Sequence, residues 1–500
     1  MTAISEPSTA TTSPAGAAPA GATPAGPADT ASARATARSP RLGGAVRVLL
    51  TADLLAAVGT GMTLPFLVVY LHAERGLSLS VAGAAAAFVA LASFVGNPVG
   101  GLLADRVGPR ATTAAGLLAA GAGAWALAGA TTASQALAAA SLSGFAVAVQ
   151  WPASDALLAR LVPEQLRATA FGARFATMNF GLAAGAVLAG LLVSGTQPSY
   201  VRLYLLDAAS FVLAAPLLAL VRLPDQRGPA SPSADRSADR SVNRRADRSD
   251  DGRPSGDRRP GRSRRDRRRD GYRRLASDRG FRHLWLLTAA LVTVGYGLFN
   301  SAFPVLVTVG VGLSAEVLSL AFAANMATVV VSQPIITRMI AGRSASSVLA
   351  AVAAVWAGTW LLMRIALLTE GAPAVGLVVL AAVTFALAET MLAQTVPALV
   401  NRLATDELRG RYNAGSALAY TTGFAVGPAV AGPVLDAGGG GVLLVGAAGC
   451  CCLLAWRATG LGRHLPTGTD TAAAREDTAG GAAPRARSVD LGEGLEMATT

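Results

Sequence analysis

Apolar residues occur in this chain in long runs separated by short polar turns. Each run has about twenty residues, the length at which an α-helix spans a hydrocarbon layer of roughly 30 Å. Short segments of alternating apolar and polar residues, which are typical of membrane β-barrels, are absent. The pattern predicts an all-α polytopic membrane protein with twelve transmembrane helices, at residues 46–71, 80–104, 111–131, 134–158, 168–194, 201–222, 283–309, 314–337, 345–369, 373–400, 411–435 and 440–461.

The longest polar stretch divides these helices into two sets of six. It is rich in Arg, Asp, Ser and Pro, a composition that cannot bury a core. The two chain ends are rich in small and polar residues. We therefore expect a disordered tail at 1–45, a six-helix bundle at 46–222, a disordered basic cytosolic linker at 223–281, a second six-helix bundle at 282–463 and a disordered tail at 464–500.

The formal net charge of +12 is concentrated in that linker. Residues 231–274 contain sixteen arginines and eight aspartates, so this segment alone carries +8. We interpret it as a spacer on the cytosolic side that touches anionic lipid. Specific binding of RNA or protein is an alternative that no motif supports, and we expect no nucleic-acid partner.

Several classes of enzyme are excluded by residue types that are missing or scattered. The chain has no lysine, so it lacks the phosphate-binding loop GxxxxGK[ST]. Its three histidines, His72, His283 and His464, lie near predicted membrane boundaries and form no metal or hydrolase motif. The adjacent cysteines 450–452 lie in an apolar run and are interpreted as small hydrophobic residues. We expect no enzymatic activity, no metal and no cofactor.

Arginine placement predicts the orientation in the membrane. If the N-terminus is cytosolic, the outer loops contain Arg75 and Arg202. The inner side then contains Arg41, Arg47, Arg106, Arg110, Arg160, Arg167, Arg338, Arg343, Arg402, Arg409, Arg411, Arg457 and Arg463, besides the linker. We predict a monomeric multi-pass protein of the inner membrane of a bacterium, with both termini cytosolic.

An internal repeat supports the division into six plus six helices. The stretch DALLARLVPEQLRATAFGARFATMNFGLAAGAVLAG starts at Asp155, and PALVNRLATDELRGRYNAGSALAYTTGFAVGPAVAG starts at Pro397. The matched pairs at this constant offset are Arg160 and Arg402, Leu161 and Leu403, Leu166 and Leu408, Arg167 and Arg409, Gly181 and Gly423, Gly185 and Gly427, and Gly190 and Gly432. Copies that run in the same direction indicate a parallel repeat of two halves.

The sequence GGLLADRVGPR at residues 100–110 joins the second and third apolar runs. It resembles the loop between helices two and three of major facilitator superfamily transporters, and with the helix count, linker and repeat the resemblance covers residues 46–461. Further stretches resemble the drug:proton antiporter-type efflux branch of that family: GTGMTLPFLVVYL, LVPEQLRATAFG, Asn325 with Gln333-Pro334, and AETMLAQTVPALVNRLATDELRGRY.

The resemblance implies that this hairpin is a conformational latch. In the family, the aspartate and the following arginines link helix two to the cytosolic end of helix eleven and keep the outward-facing state closed on the inside. The corresponding latch residues here are Gly101, Asp105, Arg106, Gly108 and Arg110. We expect Gly101 to allow close helix contact and Gly108 to permit the turn. A generic charged turn is the alternative. The second half has no matching aspartate, since it reads IITRMIAGR.

Two intramembrane carboxylates are the proton-coupling candidates. Glu389 lies in the middle of segment ten, where a carboxylate is costly unless it faces a cavity or another helix. Asp53 lies roughly two turns into segment one. The alternatives are a structural, hydrogen-bonded Glu389 and an Asp53 paired with an arginine such as Arg47. Asp155 is interpreted as a partner of loop arginines.

Other polar and aromatic residues in the runs could line a substrate cavity. The candidates are Gln150, Trp151, Asn179, Tyr296, Asn300, Asn325 and Gln394, with Phe299 as a further aromatic contact. Packing residues are the alternative for each of them. Asp207 is interpreted as one member of an interfacial pair with Arg202.

Two positions depart from the antiporter pattern of the family. Ala186 stands where the helix-five signature has proline, and Ala140 stands where many antiporters carry an arginine four residues before a glycine, here Gly144. The second departure weakens the case for proton antiport and leaves the fold unaffected.

These observations predict a secondary active transporter that works by alternating access. The expected activity is export of an amphipathic or lipophilic small molecule in exchange for protons, with the proton gradient as energy source. Partners would be the substrate, protons and the lipid bilayer. Uptake symport or facilitated diffusion of a small metabolite is one alternative, and a non-transporting membrane receptor or scaffold is another.

Overall fold

The computed structural model of the protein describes residues 43–163, 166–193, 199–221, 275, 277–405 and 408–466. Within these ranges it contains twelve helices that are long and apolar enough to cross a membrane. They are α1 Gly44–Glu74, α2 Leu79–Arg106, α3 Pro109–Gly129, α4 Ala133–Leu161, α5 Arg167–Val193, α6 Tyr200–Leu220, α7 Arg279–Gly310, α8 Ala315–Ile340, α9 Ala345–Ala366, α10 Gly371–Leu403, α11 Arg409–Asp436 and α12 Gly440–Thr459. The predicted twelve-helix architecture is confirmed, with helix ends shifted by a few residues.

The second half begins earlier than predicted. Most of the two tails and of the basic linker lies outside the described residues, but α7 already starts at Arg279, inside the range 223–281 assigned to the linker. The Asp278 side chain explains this start, since it accepts hydrogen bonds from the backbone N–H of Phe281 at 3.1 Å and from the Tyr412 hydroxyl at 2.5 Å. A cap of this kind satisfies a backbone N–H that has no partner inside the helix.

The two halves pack their helices in the same pattern. In the first half, α1 packs against α5 and α6, α2 against α4, and α3 against α4 and α6. In the second half, α7 packs against α11, α8 against α10, and α9 against α10 and α12. Each of these second-half contacts is a first-half contact shifted by six helices. The parallel repeat read from the sequence therefore corresponds to a repeat of the structure.

The glycines of the repeat serve close helix packing, as predicted. A Cβ atom on Gly185 would lie 2.1 Å from the Val58 carbonyl oxygen of α1, and one on Gly427 would lie 2.5 Å from the Gly297 Cα of α7. The next matched pair contacts the other half instead. A Cβ on Gly190 would lie 2.7 Å from the Ser319 Cβ of α8, while one on Gly432 of α11 would lie 2.4 Å from the Leu79 carbonyl oxygen of α2.

The two halves are in close contact at one end of the molecule. We call the end where α1 begins and α2 ends the basic end, and the opposite end the distal end. Leu79 and Gly83 of α2 meet Pro428 and Gly432 of α11 at the distal end. Nearer the basic end, Gly100 of α2 packs instead against α4 in its own half. The close contact of α2 with the second half is therefore a distal contact.

Helix α1 is interrupted before it reaches the distal end. Its regular part ends at Thr63, and Leu64–Phe66 form a tight turn that contains Pro65. The break itself contacts α7 and α8 of the other half, and the residues just after it contact α7. Proline removes one backbone hydrogen bond from a helix, so α1 can change direction at this point.

Candidate functional site

One buried arginine of α5 binds two carboxylates of neighbouring helices. The Arg174 Nε donates to Asp53 of α1 at 2.7 Å, and its Nη1 donates to Asp155 of α4. Ser154 donates a longer bond of 3.5 Å to Asp53. Arg174 and Asp53 are 4% exposed, whereas the Asp155 side chain is about half exposed at 47%. Asp53, a predicted proton-coupling residue, is therefore part of an ion-pair network that joins α1, α4 and α5.

The partners in this network differ from those expected. Asp155 binds Arg174, which lies seven residues into α5, and not an arginine of the loops. The alternative partner suggested for Asp53, Arg47, is exposed at the start of α1. Close glycine contacts between α1 and α5 bring the Arg174 and Asp53 backbones together. A buried charge in the membrane needs an opposite charge near it. Helices α1 and α4 supply the carboxylates that compensate Arg174 of α5.

The network retains one unused hydrogen-bond donor. The Arg174 Nη2 is buried and has no hydrogen-bond partner within the described residues. The guanidinium carbon lies 5.8 Å from the ring centroid of Trp151, which is 45% exposed. The repeat equivalents of Asp155 and Arg174 are Pro397 and Ser416, so the charges of this cluster are not repeated at the matching positions of the second half.

A second carboxylate lies deep in the other half. Glu389 is eighteen residues from the first residue of α10 and fourteen from the last, and it is partly accessible. Its carboxyl group interacts with the side chains of Asn325 of α8 and Tyr296 of α7, and Tyr420 of α11 lies near it. Asn325 is fully buried and also donates to the Ala382 carbonyl oxygen at 3.2 Å. Helices α7, α8, α10 and α11 therefore converge on Glu389.

An aromatic cluster surrounds Tyr296 beside this carboxylate. Its ring centroid lies 5.4 Å from that of Phe424, 5.9 Å from those of Trp356 and Phe385, and 6.5 Å from that of Tyr420. Phe299 stacks on Phe385 at 3.9 Å, so it belongs to the same cluster. Aromatic faces attract both apolar groups and cations.

The remaining cavity candidates have separate surroundings. Gln150 is 5% exposed and its Cβ packs against Gly116 of α3. Asn179 and Asn300 donate to carbonyl oxygens one turn earlier in their own helices, at 2.8 and 2.9 Å. Gln394 accepts from Thr337 of α8 at 2.8 Å and lies on a different face of α10 from Glu389. Of the seven candidates, Tyr296 and Asn325 adjoin Glu389 and Trp151 adjoins Arg174.

The predicted latch residues lie at the basic end. Asp105 and Arg106 are exposed, and no ion pair or hydrogen bond of Asp105 is found within the described residues. Gly108 has a φ of 100°, so it does form the turn. Arg110 donates to the carbonyl oxygens of Ala219 and Val221 at the end of α6, at 3.1 and 3.3 Å.

The expected role of Gly101 in close helix contact is wrong. A Cβ atom at this position would meet nothing within 4 Å. The close contact is made by the preceding residue, Gly100, whose Cβ would lie 2.3 Å from the Val149 carbonyl oxygen of α4. Adjacent helical residues point in directions about 100° apart, so only one of the two glycines can face α4.

A carboxylate that the sequence reasoning did not single out joins the two halves at the distal end. Asp436, the last residue of α11, accepts hydrogen bonds from the backbone N–H groups of Leu79 and Ser80, each at 2.7 Å, and from the Ser80 hydroxyl. It therefore caps the first turn of α2 from the other half. Only its position after an apolar run marked it in the sequence.

A sequence profile of the Major Facilitator Superfamily matches residues 49–305 of the chain. The uncharacterized MFS-type transporter YqjV of Bacillus subtilis (strain 168) is 25% identical over 406 residues, which are 78% of this chain and 85% of that protein. The quinolone resistance protein NorA of Staphylococcus aureus is 29% identical over a shorter match, 29% of this chain and 38% of that protein.

The fold has a counterpart among solved transporters. The crystal structure of a mutant of the peptide transporter POT superimposes with a TM-score of 0.63 at 14% identity, over 84% of this chain and 95% of that one. This likeness concerns the arrangement of the helices. Together with the sequence profile, the twelve helices and the repeated packing of the two halves, it shows that this chain belongs to the major facilitator superfamily of membrane transporters.

Proposed function

We propose that the protein is a proton-coupled efflux transporter for amphipathic or lipophilic small molecules, of which organic monocations are the best match. The observation that carries this proposal is the partly accessible Glu389 carboxylate next to the aromatic cluster of Tyr296, Trp356, Phe385 and Phe424. A single negative charge beside aromatic faces suits a cation with an apolar body. NorA, a partial match, is named for quinolone resistance, which agrees with export.

Exchange follows if a proton and the substrate compete for Glu389. An anionic Glu389 attracts a cationic substrate, while a protonated one is neutral and releases it. The site opens to each side of the membrane in turn. Binding of a proton on one side then releases the substrate, and binding of the substrate on the other side releases the proton. The Asp53–Arg174–Asp155 network is the corresponding charged element of the first half, and we assign it to holding α1, α4 and α5 in register during this movement.

We infer the orientation from the arginines, which favour the cytosolic side. With the basic end in the cytosol, both termini are cytosolic and the structure represents a state closed to the exterior, because the halves touch at the distal end. The protein would lie in the bacterial plasma membrane.

Transport into everted membrane vesicles tests this function. We expect a fluorescent lipophilic cation to accumulate in vesicles that contain the protein when a proton gradient is imposed, and to leave when an uncoupler removes the gradient. Vesicles without the protein are the control. Accumulation in right-side-out vesicles would instead indicate uptake symport. Equilibration of the cation across the membrane regardless of the proton gradient would indicate facilitated diffusion. Either result would contradict the proposal.

Asp436, which caps α2 at the distal end, and Asp105 of the predicted latch at the basic end should hold opposite ends of the molecule closed. Neutralising them should therefore shift the balance between the two open states in opposite directions. Asp436→Asn removes the charged cap on α2 at the distal end, so we expect about a fivefold larger population open to the exterior, corresponding to a cap of about 1 kcal/mol. Asp105→Asn weakens the predicted cytosolic latch. It should therefore enlarge the population that is closed to the exterior, which is the state of this structure. Both changes should slow transport. Accessibility of introduced cysteines at each end to a membrane-impermeant thiol reagent measures the balance.

A control carboxylate and two contradictory outcomes define the test of Asp436 and Asp105. Glu370→Gln changes an exposed carboxylate at the distal end of α10 that makes no cap, and it should leave the balance unchanged. Equal shifts in the same direction for Asp436→Asn and Asp105→Asn would contradict the assignment of opposite latches. Loss of substrate binding in an Asp105→Asn protein locked in one state would contradict a purely conformational role for Asp105.

A further inference from the structure

Asp207 of α6 is a buried carboxylate that plays no part in the proposed exchange. It is 5% exposed, and one of its oxygens accepts a hydrogen bond from the Thr63 hydroxyl at 2.9 Å. The other oxygen, Oδ1, is buried and has no partner within the described residues. The predicted pair with Arg202 does not form, because Arg202 is exposed and five helical residues place the two side chains on different faces.

The charged groups on the surrounding helices are already engaged or far away. On α1 and its loop, Glu74 accepts from the Tyr200 N–H at 2.6 Å, and Arg75 donates to the Tyr70 hydroxyl at 2.8 Å and to the Ala128 carbonyl oxygen. His72 contacts the Leu77 carbonyl oxygen at 2.9 Å. On α5, Arg174 binds Asp53 and Asp155, and on α3 Arg110 lies at the basic end.

An ionised Asp207 would therefore have no positively charged side chain near it to balance its negative charge. Burial of an unpaired ionised group is so unfavourable that such groups are neutralised instead. Two ways of neutralising Asp207 exist, a bound cation or a bound proton. A hard cation requires several oxygen ligands around it at roughly 2.3–2.6 Å. The carboxylate has little room for one, because a Cβ atom on Gly59 of α1 would lie 2.5 Å from Oδ1 and 2.0 Å from the Ser210 hydroxyl. A proton needs no such space.

Asp207 is also placed where a change of charge would move a helix. Its hydrogen-bond donor, Thr63, is the last residue of the regular part of α1 before the break at Leu64–Phe66. The break itself contacts α7 and α8 of the other half, and the residues just beyond it contact α7. An ionised Asp207 would draw water or new donors into this contact and separate α1 from α6.

Hydroxyl groups lie between Asp207 and the distal end. Tyr204 is one helical turn before Asp207 on α6, and its buried hydroxyl has no hydrogen-bond partner within the described residues. Its ring lies 4.5 Å from that of Tyr70, whose hydroxyl binds Arg75 of the distal loop. Two hydroxyl groups, each able to donate and accept a proton, thus lie between the distal loop and Asp207.

We propose that Asp207 is a proton-binding site at the break in α1, separate from the Glu389 site, and that it must be protonated for the two halves to close at the distal end. The inference depends on the opening and closing that membership of the family entails, and it does not depend on substrate coupling. The proton reaches the carboxylate from the distal side and leaves to the same side when that end opens.

Spin labels across the distal end test the proposal. Cysteines introduced at Thr131 and Ala372, in a background where Cys450, Cys451 and Cys452 are alanine, report the separation of the two halves at that end. We expect the population with a large separation to grow as the pH rises. Asp207→Asn, which resembles the protonated side chain, should keep the short separation at every pH. Glu316→Gln, an exposed distal carboxylate of α8, is the matched control and should respond like the parent.

Three outcomes would overturn the proposal. One is an unchanged pH response in Asp207→Asn, and another is a parent protein whose distal separation does not depend on pH. A response that follows sodium concentration at fixed pH would identify a bound cation instead. Because the readout is a distance and not transport, failure of proton-coupled efflux would leave these results interpretable.

Infrared spectroscopy supplies a measurement that does not require the closing movement. The parent at neutral pH should show a carbonyl stretching band of a protonated carboxylic acid that shifts on transfer to heavy water. Asp207→Asn should lack one such band, and Thr63→Val should shift it, because the hydrogen bond to the carboxyl group is lost. Identical bands in the parent and Asp207→Asn would show that Asp207 is ionised and would overturn the proposal even if the variant folds poorly.

Discussion

Replacing Arg174 with glutamine is expected to abolish transport and to lower the stability of the protein strongly. The guanidinium neutralises Asp53, and both side chains are almost completely buried. Removing one partner of a buried ion pair typically costs about 3–5 kcal/mol, because the remaining charge stays buried without compensation. The melting temperature in detergent and gradient-driven transport in proteoliposomes measure the two effects.

Two further variants separate stability from function. Asp53→Asn combined with Arg174→Gln replaces the ion pair with two neutral side chains that can hydrogen-bond, so most of the lost stability should return while transport stays impaired. Arg202→Gln removes an exposed arginine of α6 and should change neither quantity. If Arg174→Gln folds and transports like the parent, the network has no structural or mechanistic importance.

The helices and their repeat could be predicted because both depend on patterns along the chain. A membrane helix needs an apolar run of about twenty residues, and the described part of the chain contains twelve such helices. The constant offset that pairs Gly185 with Gly427 also predicted their packing, since equal positions in a parallel repeat face equal neighbours. The start of α7 was misplaced because its first turn is charged and is fixed by the Asp278 cap.

The charged network was only half predicted. Asp53 is predictable because a carboxylate inside an apolar run is costly, and the same argument applies to Arg174. The positive-inside pattern predicts arginines at helix ends, and Arg174, seven residues after the first residue of α5, departs from it. The signal that could have revealed it was present in the sequence FGARFATMNFG, an arginine between apolar residues.

Contacts that depend on helix rotation could not be read from the chain. Gly100 and Gly101 are equally small, yet only Gly100 faces α4. Closeness in sequence predicts a pair of Asp207 with Arg202, whereas Asp207 accepts a hydrogen bond from Thr63, 144 residues away. Asp436 caps α2 across 356 residues of sequence. A single sequence gives the period of a helix but not the direction in which each face points.

Glu389→Gln is expected to remove the coupling between protons and substrate. Glutamine has the shape of glutamic acid and can still hydrogen-bond to Asn325 and Tyr296, so we expect the fold to remain. It cannot ionise, so substrate affinity should lose its pH dependence. In the parent, affinity for a lipophilic cation should rise with pH by about 5–150-fold, the usual range of coupling between two ligands. Gradient-driven accumulation should fall by a similar factor.

A second carboxylate of α10 provides the control for Glu389→Gln. Glu370→Gln changes a carboxylate at the start of the same helix, outside the aromatic cluster, and should preserve both affinity and coupling. Binding titrations with purified protein across a pH series, combined with everted-vesicle transport, distinguish the outcomes. Normal gradient-driven transport by Glu389→Gln would remove this residue from the coupling mechanism. Because a neutral side chain releases the cation, Glu389→Gln should bind it at every pH as weakly as the parent does at low pH. Affinity that still rises with pH in this variant would show that the competing proton binds elsewhere.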